Sequence, residues 1–359
     1  MSLVSEAIDE KIGKVRTDAF DLSFGEIVNL HREKELIIQP AYQRLFRWSI
    51  EQRSRLIESI LLELPIPQIF VIENETGVFE LIDGLQRVSS VLNFVDPQSI
   101  KLDPLRLDGC ELVTELNGSI YEDLPLGLRL RIKRSSVRTV VIKRQSRSFL
   151  RYEMFKRLNT GGSYLSAQEI RNCSSRMVGA TGERLYVFLQ ELSQHPSFKI
   201  TTDTISQTSL EQRGDEELVL RFLTAKNSQL SYKGNIQEWL DTYMENILFE
   251  KVSFNFEKEK HEFTQTFDFI NEFMGSEAFV KYRGDTPVGG LAPAYYEAVT
   301  MAVFRSFDEI YQKPKSTLRA AVIATLQSTD FRSYTGPGAN SKEKLANRIK
   351  IVQVALIAA

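Results

Sequence analysis

The sequence predicts an α+β protein, with an α/β half to about residue 145 followed by an all-helical half over 146–359. Strand-like runs concentrate before residue 145: Gln68–Glu73 and Val78–Ile82, joined by a hairpin-length loop Asn74-Glu75-Thr76-Gly77, and Val137–Lys143. Residues Phe79–Val95 read as a strand that stops at Asp83-Gly84 and turns into a helix. Val88, Val91, Leu92 and Val95 there recur at i, i+3, i+4 and i+7. From Ser148 onward helical spacing dominates and few strand-like runs interrupt it. A chain of 359 residues, 42% hydrophobic and 26% charged, is long enough for two domains that each bury a core.

In order along the chain, a short N-terminal helix leads into an edge strand around Phe20–Phe24. Ser23-Phe24-Gly25-Glu26 then fits the S-x-x-E capping box and opens a helix through about Arg32. Glu35–Ile38 is a short apolar stretch ending at Pro40, and Ser49–Gln52 is a second capping box. The helix after it carries Leu56, Ile57, Ile60, Leu61 and Leu64 on one side and is stopped by Pro65-Ile66-Pro67. Beyond Asp96-Pro97 the pattern is poor until a basic helix starts near Leu124. Helical spacing over Phe149–Leu158 ends at Asn159-Thr160-Gly161-Gly162, and Ser166–Glu169 is a third capping box. Helices are expected at about 181–194, 209–226, 235–249, 256–282, 290–311, 315–328 and 341–357.

Several function classes are excluded early. No apolar run approaches the ~18 residues of a membrane helix, and the acidic N-terminus lacks a signal-peptide pattern. Cys110 and Cys173 form neither a disulfide framework nor a metal-ligand pattern, which points to a reducing cytoplasm. His31, His195 and His261 are scattered and fit no metal site. The net charge of −2 gives no global attraction for nucleic acid. Every charge from Arg129 to Arg147 is nevertheless positive, so Arg129, Arg131, Lys133, Arg134 and Arg138 are candidate contacts to a DNA backbone.

The chemistry-bearing stretch is Asp83-Gly84-Leu85-Gln86-Arg87. Helix N-termini present free N–H groups and the positive end of the dipole, so anions are favoured there. Gly84 allows a tight turn and close backbone approach. Arg87 can fork onto phosphate oxygens, and Asp83 is placed to hold Mg²⁺ or orient a water. An Asp-Gly turn with Arg87 paired to Asp83 is the plain structural alternative.

Taken with neighbouring segments, the stretch resembles a known family. Pro40-x-Tyr42-Gln43-Arg44 with Trp48, Pro65-Ile66-Pro67, and Asp83-Gly84-x-Gln86-Arg87 are similar to the bacterial family called domain of unknown function 262. That family is marked by a DGQQR motif in a ParB/sulfiredoxin-like fold. Phe155-x-Arg157-Leu158-Asn159-Thr160-Gly161-Gly162, Gln168-Glu169 and Arg171-Asn172 resemble its second block. Phe331, Tyr334-Thr335-Gly336, Asn340-Ser341 and Arg348-Ile349 resemble a closing segment of some relatives. Such relatives include GmrSD-type modification-dependent enzymes and the SspE effector, in which this domain is described as binding and hydrolysing nucleotides beside a separate HNH nuclease domain. Leu85 replaces the first Gln of the motif, and the three histidines build no HNH site.

The resemblance implies a nucleotide-binding, NTP-hydrolysing sensor of an anti-phage or restriction system. Asp83, Gln86 and Arg87 would be catalytic, with Asp83 on Mg²⁺. Tyr42, Gln43, Arg44, Gly84, Asn159, Gly161 and Gly162 would join Arg87 around the nucleoside triphosphate. Partners would be phage or modified DNA and a separate nuclease, and the helical half has room for a homodimer interface. Two alternatives remain: a metal-dependent DNA nickase using the same site, and a binding module without turnover. Glu169 and Arg171 are expected to form a supporting salt bridge.

Overall fold

The computed structural model describes residues 17–38, 48–74, 76–143, 153, 166–176, 178–336 and 339–359. Its internal contacts divide the chain into two units, Met1–Tyr164 and Leu165–Ala359. The first holds a five-stranded mixed sheet and the second is mostly helical, so the protein is α+β.

The first unit opens with edge strand β1 (Thr17–Ser23), which pairs antiparallel to β5 (Ser136–Ile142). Ser23 ends β1 and caps α1 (Phe24–Arg32), its hydroxyl accepting the Glu26 N–H at 3.1 Å. A two-residue strand, β2 (Leu36–Ile37), lies at the opposite edge. The Ser49–Gln52 capping box is complete and starts α2 (Ile50–Leu61). Then come the hairpin β3 (Ile69–Glu73) and β4 (Phe79–Asp83), α3 (Leu85–Val95), the basic helix α4 (Leu126–Arg134) and β5. The sheet order is β1-β5-β3-β4-β2, with β3 parallel to β5 and β2 parallel to β4.

Packing follows the two periodicities. Ile69 and Val71 of β3, Leu81 of β4, and Val137 and Val141 of β5 face the helices and share one core with Ile57, Ile60, Val88, Val91 and Leu92. Full burial of each such side chain contributes roughly 2 kcal/mol. The stretch without regular spacing, 97–124, is held in short 3₁₀ turns and pinned by buried Glu58. The Glu58 carboxylate accepts the N–H groups of Leu112 at 2.8 Å and Val113 at 2.7 Å.

In the second unit the helices run close to the expected spans, with three corrections. The span 209–226 is two helices, α8 (Gln207–Glu211) and α9 (Gly214–Ser228), because Arg213 takes a left-handed φ of 62° between them. The long helix expected over 256–282 ends at Met274. A small antiparallel hairpin follows, β6 (Lys281–Arg283) with β7 (Thr286–Val288). Three-residue strands are too short to display a period-two pattern, so the hairpin is hidden behind a strong helical one. Finally, Pro293 starts α12 (Pro293–Arg305), and a separate short helix over Phe307–Ile310 follows. The remaining helices that matter below are α5 (Ala167–Arg176), α10 (Ile236–Leu248), α14 (Lys315–Gln327), α15 (Thr329–Ser333) and α16 (Lys342–Ala358).

Candidate functional site

The β4–α3 junction is built as the two periodicities require, with one addition. Pairing between β3 and β4 shifts register so that Phe70 faces Asp83 while Val71 faces Leu81. Such an irregularity bends a strand and re-aims its last side chains. Here it turns the Asp83 carboxylate, about a third exposed, toward the first turn of α3. Gly84 then takes φ 102° as the helix N-cap. A Cβ on Gly84 would lie 2.5 Å from Ile69 Cγ2, so both the backbone conformation and the space demand glycine. No side chain caps this helix.

Arg87 folds back over the junction. Its Nη2 donates to Asp83 Oδ2 at 3.0 Å and to the Gln68 carbonyl at 2.9 Å. The guanidinium is mostly buried, and its Nε is shielded from solvent without a hydrogen-bond partner. Gln86 lies beside it, and its side-chain oxygen accepts the Trp48 N–H at 3.2 Å. Gln86 thus ties the start of α2 to the start of α3. β2 runs parallel to β4, so the chain leaves β2 at the sheet end where Asp83 sits. Tyr42, Gln43 and Arg44 occupy the intervening segment and lie outside the described residues, as do Asn159, Gly161 and Gly162.

No group of three or more His, Cys, Asp or Glu side chains able to hold a metal occurs among the described residues. Asp83 is the carboxylate at the junction, and one of its oxygens is taken by Arg87. One protein carboxylate does not make a protein-only cage, but it matches the way Mg²⁺ is held between a carboxylate and substrate phosphates. The thiols offer no competing chemistry. Both cysteines are buried, and burial pushes the Cys110 thiol up to about 11, helped by Glu58 and Asp108.

The basic stretch does not form one face. Arg129 and Lys133 flank the Tyr121 ring, each 6.0 Å from its centroid. Arg131 and Arg134 point to another side of α4, where they line a groove of roughly 580 Å³ with Ile60, Glu63, Leu64 and Ile66. Arg131 is 3.7 Å from Glu63, and Arg138, on β5, is 3.4 Å from Asp21.

Within the second unit, the expected Glu169–Arg171 bridge is replaced by two other contacts. The Glu169 carboxylate accepts the Ser166 N–H at 2.7 Å, completing a capping box. Two residues apart on a helix, the two side chains do not face each other. Arg171 is buried and reaches Asp241 at 2.7 Å and Glu217 at 3.2 Å. Glu217 also holds Arg221 at 2.9 Å, Arg221 holds Glu297 at 2.9 Å, and Glu297 pairs with buried Arg348. This ladder of alternating charge crosses α5, α10, α9, α12 and α16. It joins Arg171 of the second sequence block to Arg348 of the closing segment, a link that only the fold reveals.

A mixed sheet carrying a glycine turn into an uncapped helix, with an acid and a guanidinium beside the turn, defines the first unit, and a mostly helical unit follows it. Residues 24–175 match the sequence model described as the GmrSD restriction endonuclease, N-terminal domain. The match covers less than half of the chain, contains the whole Asp83–Arg87 junction, and relates the protein to GmrSD-type restriction and defence proteins. The comparisons with curated proteins and with solved structures each return no match. Among the described residues, no helix is long and apolar enough to cross a membrane.

Proposed function

We propose that the first unit binds a nucleoside triphosphate at the Asp83–Arg87 junction and hydrolyses it. The protein would serve as the sensor of a bacterial restriction or anti-phage system that acts with a DNA-directed partner. The observation carrying this reading is the Gly84 turn: a positive φ with no room for a Cβ, opening an uncapped helix beside Asp83 and Arg87. Helix N–H groups and a guanidinium together neutralise phosphate charge, and phosphoryl transfer needs little beyond neutralisation and positioning. The buried, unpartnered Nε of Arg87 is a donor awaiting an acceptor. Mg²⁺ would compete with Arg87 for Asp83, so ligand entry would open that ion pair and turn the guanidinium toward phosphate. Gln86, through its bond to Trp48, would relay occupancy to the segment that carries Tyr42, Gln43 and Arg44.

The test is to incubate the full chain with each ribonucleoside triphosphate and Mg²⁺ while following phosphate release and plasmid integrity in parallel. Phosphate release that disappears in Asp83→Ala and in Arg87→Ala, with the plasmid intact, is the expected result. Nicking without nucleotide would instead establish the metal-dependent nuclease. Saturable binding without either activity would leave a binding module.

A further inference from the structure

We infer that the second unit carries a separate binding site for the phosphate backbone of nucleic acid, in the cavity between the β6–β7 hairpin, the start of α12, and α15. The cavity measures roughly 780 Å³ and its lining includes Lys281, Arg283 and Arg332, with no carboxylate among the described residues of its wall. Among the described residues none of these three cations forms an ion pair, unlike Arg319 and Lys315 on the neighbouring helix α14, which are matched to Glu277 and Glu272. Lys281 and Arg283 stand two residues apart on β6, so both project from the face opposite buried Tyr282. Arg332 reaches the same cavity from α15. Three unmatched positive charges around one hollow repel each other and are stabilised by an anion. Ala292, Pro293 and Ala294, at the start of α12, complete that side of the wall.

The rest of the lining decides between a backbone and a free nucleotide. The Tyr282 hydroxyl donates to the Glu277 carbonyl at 2.6 Å, and the Tyr295 hydroxyl is bonded to Thr335. Gln327 spends its oxygen on the Gly284 N–H and its amide nitrogen on the Gly284 and Ile323 carbonyls. Both tyrosine rings are buried. Among the described residues of this wall, no free side-chain amide and no exposed ring is left to read or stack a base. Exposed cations without base-reading groups bind phosphates irrespective of sequence. Asp285 and Asp330 are the nearest acids in sequence, and neither lines the cavity.

The experiment measures binding of the full chain to a short fluorescein-labelled DNA duplex by anisotropy at several salt concentrations, with an RNA strand of equal length as a second probe. Arg283→Ala and Arg332→Ala remove exposed side chains and preserve the fold. Each is expected to weaken binding roughly three- to tenfold and to reduce the slope of log K against log[salt] by about one. Lys258→Ala, at an exposed helical position outside the cavity lining, serves as the charge control and should leave the slope unchanged. An unchanged slope in the Arg283→Ala/Arg332→Ala double variant, or no salt-dependent binding by the unaltered chain, overturns the inference. Binding of inorganic triphosphate in place of either nucleic acid overturns it as well. Nucleotide turnover at the Asp83–Arg87 junction does not enter this readout, so the two claims can fail separately.

Discussion

Replacing Gly84 by Ala isolates the geometry on which the candidate site depends. An L-residue held in the left-handed region costs roughly 1–2 kcal/mol. The added Cβ would also sit 2.5 Å from Ile69 Cγ2 and 3.0 Å from Ile69 Cβ, atoms of a side chain only 1% exposed within the core. Forcing a methyl into such packing costs roughly another 1–3 kcal/mol. The sum, roughly 2–5 kcal/mol, is large against ordinary domain stabilities. Urea unfolding, followed by hydrogen exchange of α3 peptides so that the two units are read separately, should show a lower midpoint for the first unit. Ile69→Ala removes Cγ2 and by itself costs roughly 2–5 kcal/mol as a cavity. In that background the 2.5 Å contact is gone and only the retained Cβ at 3.0 Å remains, so Gly84→Ala should cost clearly less than in the unaltered chain, approaching the backbone part of roughly 1–2 kcal/mol. A substitution neutral within about 0.5 kcal/mol, or one equally costly with and without Ile69, would refute the close approach.

Further outcomes follow from the charges. Burial raises Glu216 above the usual carboxylate range, against the opposing pull of Arg213 and Asn172. Its raised folded value means that stability is lost as pH rises from about 4.5 through that value. Glu216→Gln should therefore flatten this decline in urea midpoints measured across pH. Glu217 is the reverse case: burial would raise it, but Arg221 and Arg171 outweigh burial and hold it below the usual range. Its contribution is present above about pH 4.5 and lost on acidification through its lowered value, so Glu217→Gln should destabilise most near neutrality. Arg171→Ala, which removes the 2.7 Å contact to Asp241 and leaves Glu217 to Arg221, should cost roughly 3–5 kcal/mol in calorimetry. Cys110, with its thiol raised to about 11 by burial, should resist a thiol reagent at pH 8 in the native protein and react only on unfolding.

The strand-to-helix junction is legible in the sequence because a period of two and a period of 3.6 meet at one glycine. The capping boxes at Ser49 and Ser166 are equally legible, since both partners of each box lie within four residues. Less visible is whatever depends on distant pairing. The register shift opposite Phe70 and the Gln68 carbonyl that holds Arg87 are set by β3, outside the motif. The basic stretch reads as one block along the chain, yet helix and strand geometry send its members to different sides. Charges such as Glu217, Arg221 and Glu297 look like solvated helix faces one helix at a time, and only packing turns them into a buried ladder.

Seating of nucleotide at Gly84–Arg87 is tested most directly by hydrogen exchange of the peptide spanning β4 and α3, with and without Mg²⁺ and nucleoside triphosphate. Slowed exchange at the N–H groups that open α3, abolished in Arg87→Ala, is the expected result. Turnover or tight binding of nucleotide with no change in exchange at that helix start would place the ligand elsewhere and contradict the assignment.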